Sequence, residues 1–284
     1  MKAHPLTLLL LLAIFSASAQ RYSGFVTDKE SGQPIPFVNI GITGKDIGTV
    51  SDILGWFAIE IPGENSEDTL CVSCIGYEQK TFCIRDLKSL ADRADGLEFA
   101  LTPKSYLLKE VVVRPVATRT YTLGNPCEAD SPYGNAFYSD KLGTEMGVMI
   151  PLPRKYNRAQ LKKFSCYVGE FTYDSFPVRL NVYNVKNGLP FENILAEPIF
   201  VEIIEEGEFI VDLARYNIVV HGDFFISLEY FRTADQADGK LVFCAVHRRK
   251  MRDRNGFYRL TSQGNWNREM FDNVGFSVEV ECEK

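Results

Sequence analysis

Apolar and polar positions alternate along most of this chain, and the period is two rather than 3.6. In SDILGWFAIEI (51–61), Asp52 and Gly55 make a reversal; Trp56, Ala58 and Glu60 then face one way and Phe57, Ile59 and Ile61 the other. In VRLNVYNV (178–185), Val178, Leu180 and Val182 point inward and Arg179, Asn181 and Tyr183 outward. Such runs recur at Tyr22–Thr27, Pro36–Ile42, Gly48–Val50, Trp56–Ile61, Thr69–Cys74, Gln79–Ile84 and Leu97–Leu101. A second series covers Glu145–Ile150, Lys163–Glu170, Val178–Tyr183, Ile199–Ile203, Phe209–Leu213, Phe224–Phe231, Leu241–Val246, Phe257–Thr261 and Phe276–Cys282. Only Asp86–Ala94 reads as helix, with Asp86 as N-cap and Leu87, Leu90 and Ala91 on one side. The fold class expected is therefore all-β, with two β-sandwich domains. The first, residues 20–103, is a small sandwich; the second, 141–284, is jelly-roll-like. Residues 104–140, rich in Pro, Gly, Asn and Ser and without a period, read as a linker or extended connection.

The first 19 residues fall outside this scheme. Lys2, the apolar run Leu6–Phe15 and the small-x-small site Ala17-Ser18-Ala19 read as a cleavable export leader, 1–19. No Cys follows the cut, so the usual acylation site is missing. The apolar run is shorter than the ~20 residues a spanning helix needs, and no transmembrane segment is expected in the mature chain. The expected location is the periplasm or cell envelope, and outer-membrane association is left open. A formal net charge of −6 disfavours nucleic acid as a partner.

Three stretches carry a resemblance. They are GFVTDKESGQPIPFVNI (24–40), GTVSDILGWFAI (48–59) and LCVSCIGYEQK (70–80). In the first, Gly32 takes the positive φ of a tight reversal, Asp28 and Ser31 bond to the turn backbone, and Pro34 and Pro36 hold the chain extended. In this order the three motifs resemble the carboxypeptidase regulatory-like domain, a seven-stranded, transthyretin-like sandwich common in exported proteins of Bacteroidetes. The resemblance implies that Gly24, Asp28, Gly32, Pro34, Asp52, Gly55, Gly76 and Tyr77 shape turns and sheet and do not catalyse. The next segment, LTPKSYLLKEVVVRP, is similar through Leu108–Val113 to the one that joins this domain to the plug of TonB-dependent receptors. The residues left are too few for a plug and barrel, so transport is not implied. LNVYNVKNGLPFENIL and VDLARYNIVVHGDFFISLEYF resemble the uncharacterised C-terminal region found behind this domain in the same bacteria.

Candidate chemistry is sparse. Seven Cys, at 71, 74, 83, 127, 166, 244 and 282, leave at least one thiol without an intrachain partner. Cys71 and Cys74, three apart in a strand, point to opposite faces and read as packing residues rather than a zinc pair; the disulfide pairing stays open, a Cys71–Cys83 bridge across a hairpin being one candidate. His221 and His247 sit in no nucleophile motif, so no catalytic residue, metal ligand or cofactor is assigned and the chain is not expected to be an enzyme. Glu205, Glu206 and Glu208 read as a solvated turn. The basic run HRRKMRDR contains Arg248, Arg249, Lys250 and Arg252, either a hairpin loop or a site for phosphate or acidic glycan. Trp266, with Asn265, Asn267 and Arg268, has the parts of a sugar site: a ring to stack on and polar groups to fix hydroxyls. The function expected is an exported, non-enzymatic envelope protein that binds glycan or protein. The alternative is a structural or assembly accessory of an outer-membrane complex, and a hydrolase comes last.

Overall fold

A computed structural model describes residues 19–91, 96–104, 117–137, 140–233, 239–247, 254–269 and 272–283. The expected leader (apart from Ala19), the Leu108–Val113 segment, and Arg248, Arg249, Lys250 and Arg252 lie outside the described residues. The first unit holds strands β1 (Ala19–Asp28), β2 (Asn39–Ile42), β3 (Gly48–Val50), β4 (Trp56–Pro62), β5 (Thr69–Ser73), β6 (Lys80–Cys83) and β7 (Leu97–Leu101). A three-stranded sheet in the order β4-β1-β7 faces a four-stranded sheet in the order β3-β2-β5-β6. β1 pairs antiparallel with β4 and parallel with β7. The alternation predicted for β4 holds: Phe57, Ile59 and Ile61 are buried with Val26, Ile40, Leu70 and Phe99, while Trp56 and Glu60 are exposed. Helix α1 (Ile84–Ala91) begins two residues earlier than expected, so Asp86 lies in its first turn and is not its N-cap.

The second unit contains β8 (Thr118–Gly124), β9 (Gly134–Asn135), β10 (Thr144–Ile150), β11 (Arg158–Phe171), β12 (Phe176–Lys186), β13 (Leu189–Asn193), β14 (Ile199–Ile203) and β15 (Gly207–Asp212). It continues with β16 (Val219–Val220), β17 (Phe224–Tyr230), β18 (Leu241–His247), β19 (Gly256–Arg259), β20 (Asn267–Arg268), β21 (Asp272–Val274) and β22 (Ser277–Glu283). One sheet runs β13-β12-β17-β10-β19-β20 with β14 beside β12; the other runs β21-β18-β11-β22-β8 with three short strands attached. Their facing sides share one apolar core, including Val148, Leu180 and Ile226 from the first and Phe164, Phe243 and Val278 from the second.

Two expectations are corrected here. Part of the stretch read as linker, Thr118–Gly124, is an edge strand registered against β22 from Ser277↔Gly124 to Glu283↔Thr118. Its alternation is short, confined to Tyr121 and Leu123 packed against the core, and the rest of the strand is mostly exposed. Cys71 and Cys83 are both free thiols. Cys71 sits opposite Thr81 and Cys83 opposite Thr69, so the two cysteines are offset diagonally along the hairpin. The bridge is Cys127–Cys244, with Cα atoms 6.1 Å apart. It ties the segment after β8 to β18.

The feature that positions the site is the second face of β12. Arg179, Asn181 and Tyr183, expected outward, are 3%, 1% and 7% exposed. They still point away from the Val178–Leu180–Val182 core, but the first unit and the 261–266 loop cover that side. Arg179 donates to the Phe37 carbonyl at 2.8 Å and to Asn39 Oδ1 at 2.6 Å. Gln263 Nε2 donates to Ser73 Oγ at 2.8 Å, and Asn265 Nδ2 to the Gly44 carbonyl at 2.6 Å. The approach is close enough that a Cβ on Gly41 or Gly48 would meet the Ser262 carbonyl oxygen at 2.3 or 2.4 Å.

Candidate functional site

A row of four charged side chains crosses the covered face of the seven-stranded sheet. Arg179 on β12 pairs in register with Glu229 on β17, Glu229 with Glu145 on β10, and Glu145 with Arg259 on β19. Residues directly opposite on neighbouring strands share a face, so their side chains meet. All four are buried. Arg179 grips Glu229 with two bonds, Nε to Oε2 at 2.9 Å and Nη2 to Oε1 at 2.8 Å. Arg259 Nη2 lies 2.5 Å from Glu145 Oε2. Asn181 bridges the two carboxylates, at 3.0 Å from Glu145 and 2.7 Å from Glu229. Tyr183 and Ser227 hydroxyls also donate to Glu145. Charges taken out of water are tolerated only when paired and fully hydrogen-bonded, and the row meets that condition at both carboxylates.

The two carboxylates titrate apart. Burial pushes both upward. For Glu229 the guanidinium of Arg179 and its hydrogen bonds, helped by Arg259, outweigh burial and hold it below the ordinary range. For Glu145 burial prevails over Arg259, and the charge on Glu229 adds to the rise. The Tyr183 phenol is pushed well up by burial and by Glu145.

Above this row the two units enclose a polar cleft of about 550 Å³. Asn39, Ser73, Tyr77, Gln79 and Lys104 line it from the first unit; Asn181, Phe191, Asn193, Arg259 and Gln263 line it from the second. Several of these groups are held in place from behind. Asn193 donates to Asn181 Oδ1 at 2.9 Å, and the Tyr77 hydroxyl donates to Asp28 Oδ2 at 3.0 Å. Burial, followed by the Asp28 contact, pushes the Tyr77 phenol up to about 12. The Phe191 ring is 51% exposed, with the Lys186 ammonium 4.3 Å from its centroid. Among the described residues, no group of three or more His, Cys, Asp or Glu converges as metal ligands.

Of the residues singled out from sequence, Gly76 and Tyr77 line the cleft, and the candidate ligand-binding and chemical residues lie elsewhere. Trp266 is half-buried, edge-on to Tyr183 and Phe225 at 5.8 and 4.9 Å, and Arg259 sits 5.0 Å from its ring centroid. Asn265 holds the first unit, Asn267 donates to the Asn265 carbonyl, and Arg268 lies over Phe257. None of the four lines the cleft. His247 Nδ1 is 2.7 Å from Asp272, with its ring stacked on Tyr133, and His221 is exposed. Glu205 and Glu206 are exposed on the turn between β14 and β15, as expected; Glu208 is exposed too but lies in β15, opposite Tyr167, and not in the turn. The turn residues of the first unit do local work. Asp28 accepts the amides of Glu30 and Ser31 at 2.8 Å, and Asp52 those of Leu54 and Trp56 at 2.8 and 2.9 Å. Gly32, Gly55 and Gly76 have φ of 72°, 75° and 90°; a Cβ on Gly24 would sit 1.9 Å from the Leu97 carbonyl oxygen, and Pro34 forms a bridge with Thr27.

Sequence reasoning passed over the charge row, though a signal was present. Glu145, Glu229 and Arg259 each interrupt an apolar run, EMGVMI, FFISLEYF and GFYRL, and charges are almost never fully buried unless paired.

Comparison with known proteins assigns the first unit. Residues 22–113 match the family model of the CarboxypepD_reg-like domain. TonB-dependent receptor P3 of Formosa agariphila is 42% identical over 59 residues, which are 21% of this chain and 6% of the receptor. A solved structure of infectious bursal disease virus, Gx strain, aligns over 94% of this chain and 63% of its own at 9% identity; its TM-score of 0.23 carries no argument. No helix among the described residues is long and apolar enough to cross a membrane. The first unit, which forms one wall of the cleft, belongs to a CarboxypepD_reg-like domain whose match runs over residues 22–113.

Proposed function

We propose that this chain is an exported, non-enzymatic protein of the cell envelope that binds saccharide in the cleft between its two β units. Three observations support the envelope setting: the CarboxypepD_reg-like domain, the short match to an envelope receptor, and the Cys127–Cys244 disulfide, a bond that persists in oxidising compartments. The observation that carries the binding role is the composition of the cleft walls. Amide side chains from both units, Asn39, Gln79, Asn181, Asn193 and Gln263, converge on one polar space beside the exposed ring of Phe191. Asn181 is spent on Glu145, Glu229 and Asn193, but an amide carries two donor hydrogens and two acceptor lone pairs, and the contacts of Asn39, Asn193 and Gln263 use part of that set. Vicinal hydroxyls require such paired donors and acceptors, and an aromatic ring takes the apolar face of a pyranose. Contacts behind Asn181, Asn193 and Gln263 hold them before a ligand arrives, which lowers the entropy lost on binding. The glycan reading therefore moves from Trp266, whose ring is engaged by Arg259 and two aromatic neighbours, to the cleft.

Calorimetric titration with soluble envelope polysaccharide fragments tests this. Phe191→Ala and Gln79→Ala, both at exposed positions, are expected to weaken binding about tenfold, or about 1.4 kcal/mol, at unchanged melting temperature. Trp266→Ala is expected to keep its affinity per folded molecule while losing about 2 kcal/mol of stability, less than a fully buried Trp because the ring is half-exposed. Loss of binding in a fully folded Trp266→Ala protein, or failure of every fragment to bind, overturns the proposal.

A further inference from the structure

Resting on that reading, we infer that the saccharide taken by the cleft is acidic, and that its carboxylate is held between Arg259 and Lys104, which line the cleft from opposite units. The cations on the cleft walls are not equivalent. Arg179 is consumed by protein: its donors go to both oxygens of Glu229, to the Phe37 carbonyl and to Asn39. Arg259 is not. It lines the cleft at 7% exposure, its Nη2 serves Glu145 and Tyr183, and its Nε–H is buried without a hydrogen-bond partner among the described residues. A guanidinium presents a planar fork of donors that matches the two oxygens of a carboxylate, and part of this fork is unfilled by protein.

Lys104 adds a second positive charge from the opposite unit. The carboxylates behind the row, Glu145 and Glu229, are 0% exposed and absent from the cleft walls. Of the acidic groups that do line the cleft, Glu192 is turned toward Asn184, whose side-chain oxygen takes its amide at 2.8 Å and whose Nδ2 reaches its carboxylate at 3.4 Å, and Glu78 is exposed. A neutral sugar uses the amides and Phe191 and leaves the Arg259 charge unanswered; a uronate uses all three.

The test is calorimetric titration of the full chain with trisaccharides of galacturonate, guluronate and mannuronate, each against its carboxyl-reduced counterpart, and with glutarate as a carboxylate that is not a sugar. At least one uronate is expected to bind tenfold or more tighter than its reduced form, and added salt is expected to shrink that margin. Lys104→Ala, an exposed position, is expected to cut the margin several-fold while leaving the reduced sugar unaffected. Arg259→Gln is expected to abolish it, and circular dichroism checks that the variant is folded. Equal binding of acid and reduced forms, or a margin untouched by Lys104→Ala, overturns the inference and leaves the saccharide reading standing. Glutarate binding as tightly as the uronates, with no binding of reduced sugars, overturns the saccharide reading instead. No binding by any of them overturns both.

Discussion

At the scale of single residues, the molecule places part of its conformational cost where the two units meet. Phe37 and Gln263 are non-glycine residues with φ of 56° and 63°, a region that costs most side chains of order 1–3 kcal/mol. Both are pinned by the interface: the Phe37 carbonyl takes Arg179, its ring packs edge-on against Phe200 and Phe231, and the Gln263 carbonyl takes the amide of Gly44. Asp28 organises its turn differently. The Ser31 amide is the largest cause holding its carboxyl below the ordinary range, and the Glu30 amide and the Tyr77 hydroxyl act in the same direction. A carboxyl lowered in the folded state stabilises the fold above its unfolded value, near pH 4, and that contribution disappears as pH falls through the folded value. Urea midpoints measured from pH 6 down to pH 2 are expected to fall more steeply in the native protein than in Asp28→Asn, which lacks the titrating group. The Asp28 turn was legible from sequence because its chemistry is local. The strain at Phe37 was not, because it is imposed by a guanidinium 142 positions away.

At the scale of elements, β12 shows how far alternation can be read. Val178, Leu180 and Val182 occupy the core side, as their period of two requires, and all three are fully buried. Polarity on the other side predicts water, yet that side is buried as well, with Arg179 fitted to Glu229. Removing one member of such a pair leaves a charge buried without compensation. Arg179→Met is therefore expected to cost about 3–5 kcal/mol, and adding Glu229→Leu to recover a large part of it, both measured by urea unfolding. An outcome in which the double variant is less stable than Arg179→Met would show that the Phe37 and Asn39 contacts outweigh the ion pair. The edge strand β8 went unread for the converse reason: its apolar pattern is confined to Tyr121 and Leu123, within a run that is otherwise polar and exposed.

At the scale of the whole molecule, the decisive joins are non-local. The Cys127–Cys244 bridge closes 117 positions of chain, and its loss is expected to cost about 2–5 kcal/mol, seen as a lower urea midpoint in Cys127→Ser/Cys244→Ser. An unchanged midpoint would mean that the pairings of β9 and β21 with β18 already hold that corner. The amino-acid sequence by itself determined the all-β class, most strand positions, the turns of the first unit and its family, because each is written in contacts a few residues long. Only the tertiary structure decided which cysteines pair, that a polar strand face lies under another unit, and that four charges on four strands form one row beneath a cleft. Those outcomes depend on register between distant strands and on how two packed sheets meet, and neither leaves a periodic trace in the chain.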